Sequence, residues 1–91
     1  MAYAFELKPN LERELKKIGK KDRATFKAVR NKIEEIIKDP HHYKPLRYDL
    51  KGLRRAHIEK SFVLVFEIDE QEKTVRFLNL AHHDEVYKRR Y

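Results

Sequence analysis

The sequence predicts one α+β domain spanning 1–91, with an N-terminal strand and two helices packed on one face of a small antiparallel β-sheet. Three observations carry this expectation. The first residues alternate between large apolar and small or polar side chains, the stretch up to Pro40 places apolar residues at helical spacing, and the second half holds apolar runs separated by short polar turns. Ninety-one residues divided in two would leave pieces too small to bury a core without disulfides or a metal.

Tyr3, Phe5 and Leu7 alternate with Ala4 and Glu6, the period of a strand with one apolar face. Pro9 ends the strand and suits the first turn of a helix. Leu11, Leu15 and Ile18 then recur at i, i+4 and i+7, and Gly19 predicts the stop. Asp22 is placed to cap a second helix, in which Phe26, Val29, Ile33, Ile36 and Ile37 keep helical spacing until Asp39-Pro40 closes it. His41 to Lys51 is polar and flanked by Pro40 and Pro45, so it reads as a loop or an edge segment. Leu53 to Glu59 can extend. Phe62 to Ile68 is almost continuously β-branched and aromatic, which predicts a strand buried on both faces. Asp69 to Lys73 is a polar turn, and Thr74 to Ala81 returns as the last strand. The helices need one face of the sheet to bury their stripes, which leaves the opposite face for a ligand.

Twenty-two Lys and Arg against fifteen Asp and Glu give a formal charge of +7. An excess of that size favours a polyanionic partner, with nucleic acid ahead of a membrane surface. A surface adapted to high temperature would explain the total of charges but not the positive excess. There is no cysteine, so disulfides, thiolate metal sites and a thiol nucleophile are excluded. Gly19 and Gly52 are the only glycines, too few for a phosphate-cradling loop. His41, His42, His57, His82 and His83 form no metal-binding spacing, so neither a metal nor a cofactor is expected. Without a leader-like N-terminus or a membrane-length apolar run, the expected location is the cytoplasm, with no membrane partner.

Two basic windows hold the candidate chemistry. In Leu50-Lys51-Gly52-Leu53-Arg54-Arg55-Ala56-His57-Ile58, Arg55 and His57 are two apart and share one face of an extended strand. A strand edge studded with cations to discourage aggregation would have the same composition. At the C-terminus, His82, His83, Tyr87, Lys88, Arg89 and Arg90 follow the last strand. RNA is cut without metal when a base takes the 2′-OH proton, an acid protonates the leaving 5′ oxygen and cations stabilise the phosphate. Histidine suits both proton transfers and arginine the third task, while an aromatic ring stacks on a splayed base.

The order strand, helix, helix is followed by Leu50-Lys51-Gly52, by Arg55-Ala56-His57-Ile58, by Phe62-Val63-Leu64-Val65-Phe66-Glu67 and by His83-Asp84-Glu85-Val86-Tyr87. Over essentially the whole chain this succession resembles the RelE/ParE superfamily of toxins from type II toxin–antitoxin systems. The Ala-His-Ile-Glu run most resembles the YafQ branch. The resemblance implies a ribosome-dependent, metal-independent mRNA endoribonuclease, silenced by a cognate acidic antitoxin. It carries functional histidines onto His57 and His83, and the C-terminal aromatic onto Tyr87.

On this reading His57 and His83 transfer protons, Arg55 and Lys51 stabilise phosphate, and Tyr87 stacks or orients. Lys44, Arg47, Arg54, Lys88, Arg89 and Arg90 grip RNA or the ribosome. The sequence departs from the family at Val63, where many members have arginine, and from the YafQ branch at Ser61 and Tyr48, where an acidic residue and a histidine stand. A transition-state cation then has to come from Arg55, Arg54 or Lys51. Two other functions share the resemblance or the charge: a ParE-like toxin that binds DNA gyrase without chemistry, and an RNA-binding module without nuclease activity.

Overall fold

Apolar periodicity decides where each element starts and which side of it is buried. The computed structural model describes residues 2–45, 52–59 and 61–82, with His82 described by its backbone. Its elements are β1 (Ala4–Leu7), α1 (Pro9–Lys21), α2 (Arg23–Lys38), a single 3-10 turn (Pro40–His42), β2 (Leu53–Ile58), β3 (Phe62–Asp69) and β4 (Thr74–His82). The strands form one sheet in the order β1-β4-β3-β2.

Pro9 occupies the first turn of α1, where its missing N–H is of no consequence. Asp22 joins the two helices by itself. Its backbone N–H donates to the Ile18 carbonyl at 2.7 Å, closing α1. Its carboxylate accepts from the Thr25 backbone N–H at 3.1 Å and the Thr25 hydroxyl at 2.6 Å, opening α2. Those two bonds, the hydroxyl's first, hold the Asp22 carboxyl below its usual range. α1 runs to Lys21 and not to Gly19, where the sequence predicts its stop. Gly19 serves close packing instead, since a Cβ there would lie 3.3 Å from the Phe26 ring of α2.

Leu11 and Leu15 of α1 and Val29, Ile33 and Ile36 of α2 meet Ala56, Ile58, Leu64, Phe66, Val75, Phe77 and Leu80 of the sheet in one core. Phe66 and Phe77 lie at its centre, ring centroids 5.7 Å apart. Burying an aromatic of this size contributes about 1.5–3 kcal/mol over leaving it exposed. β3 is buried on both faces, as its continuous apolar run predicts: Val63, Leu64, Val65 and Phe66 are all at most 1% exposed.

The sheet is mixed and not purely antiparallel. β2, β3 and β4 pair antiparallel, but β1 lies parallel to β4, with Phe5 beside Val75 and Leu7 beside Phe77. Alternation in β1 specifies which side chains face the helices and is silent about the direction of the neighbour. The Lys8 N–H donates to the Phe77 carbonyl at 3.0 Å and the Ala4 N–H to the Lys73 carbonyl at 3.0 Å, fixing β1 at both ends.

Candidate functional site

β2 divides its side chains between two environments. Ala56 and Ile58 enter the core under the helices, while Leu53, Arg55 and His57 face the other way. Pairing sets their neighbours. His57 lies opposite Val63, which lies opposite Ala81; Arg55 lies opposite Val65, which lies opposite Asn79. The face away from the helices therefore carries two adjacent rows, His57–Val63–Ala81 and Arg55–Val65–Asn79. His57 is exposed and Arg55 half-buried. Their Cα atoms are separated by two strand residues, roughly 6.8 Å.

The middle of this face is less open than a bare sheet surface. Val63, Val65 and Ala81 form a second buried cluster, with Leu53 and Leu78 packed against it. Two of its members come from the continuous apolar run of β3, which leaves no polar residue at the centre of the face. Within these rows the guanidinium is that of Arg55.

A bulge puts Asn79 into the second row. Val65 pairs with Asn79 and Phe66 with Phe77, so Leu78 is an extra residue in β4. Before the bulge Val75 and Phe77 face the helices, and after it Leu80 does, leaving Asn79 and Ala81 on the site face. The apolar spacing Val75, Phe77, Leu80 breaks strict alternation, and that break is the sequence signal for Asn79.

Arg54 is directed to the opposite side of β2 from Arg55. Its Nη1 donates to the Tyr43 carbonyl at 2.6 Å, and the Tyr43 ring stands edge-on to Phe66 at 5.9 Å. Burial, then Glu35 and Asp39, push the Tyr43 phenol upward. The Arg55 N–H donates to the Lys44 carbonyl at 3.2 Å, and Pro45 bridges Arg54. The segment 43–45 is thus stitched along the outer edge of β2, with the Lys44 side chain exposed beside it. Gly52, at φ 88°, enters the strand through a left-handed conformation that favours glycine.

The far end of the same face has the opposite charge. Arg76 is surrounded by Asp69 at 2.8 Å, Glu6 at 2.7 Å and Glu67 at 3.8 Å. The hydrogen bonds to Asp69 and then Glu6 raise the Arg76 pKa, and Asp69 is held low by the Glu72 backbone N–H and then Arg76. Three carboxylates about one guanidinium leave this end acidic, so a polyanion is favoured at the Arg55 and His57 end.

The described residues bring together Arg55 and His57, with Lys44 at the adjacent edge and Arg54 on the other side. β4 ends at His82, opposite Phe62 and one row beyond His57. His83, Tyr87, Lys51, Arg47, Lys88, Arg89 and Arg90 lie outside the described residues. Among the described residues no group of three or more potential ligands is placed to hold a metal ion, and no helix is long and apolar enough to cross a membrane.

Comparison with known proteins is consistent in family across sequence and structure. A family model described as the ParE toxin of the type II toxin-antitoxin system parDE matches residues 5–87. The RelE4 protein of Methanocaldococcus jannaschii is similar at 49% identity over 88 residues, 97% of this chain and 94% of that protein. The toxin–antitoxin complex RelBE2 from Mycobacterium tuberculosis contains a chain that aligns with TM-score 0.77 and 25% identity, over 91% of this chain and 100% of its own length. A RelE mutant from E. coli in the free state shares the fold at TM-score 0.76 and 18% identity, over 97% of this chain and 93% of its own.

Proposed function

The chain belongs to the RelE/ParE superfamily of type II toxin–antitoxin toxins, and from that premise we propose that it is a metal-independent endoribonuclease that cuts mRNA on the ribosome. One observation carries the proposal: an exposed imidazole and a guanidinium, His57 and Arg55, in adjacent rows on the sheet face that the helices leave uncovered. A binder with no chemistry to perform has no need of an imidazole, a side chain suited to proton transfer, at that position.

In this mechanism His57 and His83 are the proton-transfer pair, one taking the 2′-OH proton and the other protonating the leaving 5′ oxygen. Arg55, with Lys51, holds the phosphate and the charge that develops on it. Tyr87 stacks on or orients the base. Lys44, Arg47, Lys88, Arg89 and Arg90 extend the grip. Arg54, its guanidinium bound to the Tyr43 carbonyl, braces the strand that presents Arg55. The ribosome supplies much of the substrate positioning that a small face cannot. The expected place of action is the cytoplasm, and the expected silencing partner is an acidic antitoxin that folds on binding.

A second reading follows from the family model, whose description is that of a ParE toxin. The buried valine at position 63, in place of the family's arginine, is compatible with a toxin that binds DNA gyrase without cutting RNA. Mapping cuts on an mRNA incubated with the protein, with and without translating ribosomes, separates the two. Cuts that require ribosomes support the nuclease; an uncut message together with gyrase inhibition overturns it.

A further inference from the structure

A second dense patch of positive charge lies away from the site just described. Residues 16–30 carry seven Lys and Arg against one carboxylate, Asp22, a net +6 of the chain's total of +7. They form the end of α1, the one-residue turn and the start of α2. Every one of these cations is exposed. Asp22 is occupied by its two bonds to Thr25, and among the described residues none of the seven is paired with a carboxylate.

This arrangement does not serve the helices. Arg23 opens α2, whose first turn has no acidic residue, so its charge opposes the helix dipole there. Clustered like charges around a tight turn also repel one another. An ion-pair network for stability would interleave Glu and Asp, and this segment has only Asp22, whose carboxylate accepts from Thr25. A charge pattern that works against its own scaffold points to a partner of opposite charge.

We infer that the tip of the α1–α2 hairpin is a second RNA-binding surface that takes a phosphodiester backbone, separate from the cleavage face. Arg23, Lys27 and Arg30 line one stripe of α2 at i, i+4 and i+7, and Lys16 and Lys20 line one stripe of α1. Each stripe is several ångströms long and presents point charges suited to successive phosphates without reading bases. An anionic membrane is the weaker match, because interfacial helices need apolar anchors. Phe5 is the large apolar side chain most exposed among the described residues, and it lies on β1. The helices cover the sheet face opposite Arg55 and His57, so the hairpin holds different phosphates from those being cut. The choice of RNA over DNA rests on the proposed function.

The test replaces Lys17, Lys20, Lys21, Arg23 and Lys27 together by Gln, and separately replaces the three lysines and Lys27 by Arg. Both are made in a His57→Ala background so that binding is read without cleavage. Affinity for a short RNA duplex of arbitrary sequence is measured over a salt series, with a DNA duplex and phosphatidylserine vesicles as parallel probes. The Gln variant is expected to melt no lower than its parent and to bind RNA with a log–log salt slope shallower by about 3.5–4.5, at about 0.7–0.9 per cation removed. The Arg variant is expected to keep the parental slope. An unchanged slope in the Gln variant overturns the inference, as does a loss confined to vesicles or to DNA. Cleavage of mRNA is scored separately in the His57 protein. Absence of cuts with the salt effect intact would remove the nuclease reading alone, and parental RNA affinity in the Gln variant would remove the hairpin surface alone.

Discussion

His57 stands directly across from Val63 in the β2–β3 pairing, an exposed imidazole beside a side chain with no exposure. The contrast separates chemistry from packing at neighbouring positions. His57→Ala removes a group from the surface without opening the core, so the melting temperature is expected to stay close to that of the parent. The cleavage rate is expected to fall roughly a hundredfold or more, the usual contribution of a general acid or base. His83→Ala should match it. Parallel thermal melts and single-turnover cleavage check both, and two folded variants cutting at the parental rate would place the site elsewhere.

Arg54 and Arg55 are adjacent in sequence and serve opposite faces. Arg54→Ala removes the bond to the Tyr43 carbonyl, a charge-assisted contact of a kind worth about 1.5–3 kcal/mol, and should lower stability before it lowers activity. Arg55→Ala should weaken both RNA binding and turnover, because an arginine holds phosphate in the ground state and in the transition state. Equal loss of RNA binding in the two variants would contradict this division.

Glu70 ties three parts of the chain together. It accepts from Lys73 at 2.7 Å and from Tyr3 at 2.8 Å, and it contacts His41. Those bonds, Lys73 first and then His41 and Tyr3, lower its pKa from 4.5 to about 2. A depressed carboxylate contributes stability above its unfolded pKa and loses it as pH falls through the folded value, here between about 4.5 and 2. Glu70→Gln is therefore expected to flatten the acid limb of a stability-versus-pH curve in that window. A limb of unchanged slope would mean that the cluster does not persist in solution.

Much of the fold was legible because its apolar residues keep one period per element. Leu11, Leu15 and Ile18 predict α1, and the run from Phe62 to Ile68 predicts a strand buried on both sides. Three features escaped. The parallel pairing of β1 depends on a partner seventy residues away, as in Phe5 beside Val75, which local alternation does not encode. Gly19 reads as a stop until the Phe26 ring is seen against it. Strand alternation separates Arg54 from Arg55, but the bond from Arg54 to the Tyr43 carbonyl depends on segment 43–45 running along the edge of β2, which the sequence does not encode locally. For the candidate site, the placement of Arg55 and His57 on one face followed from strand geometry. Asn79 did not, because the bulge at Leu78 shifts the alternation of β4 midway.

Asn79 offers the sharpest test of this face as a path for RNA. It shares a row with Arg55, two strand spacings away, about 9.6 Å across the sheet. Asn79→Asp changes shape very little and adds a negative charge beside the expected track of the phosphates. At physiological salt the screening length is about 8 Å, slightly less than that separation, whereas at 0.01 M it is about 30 Å. The variant should therefore bind and cut RNA several-fold more weakly than the parent at low salt, and the gap should narrow as salt rises. Asn79→Ala controls for loss of the amide's own contacts, and its deficit should be independent of salt. If the aspartate and alanine variants respond to salt in the same way, the backbone of the RNA does not pass over this row.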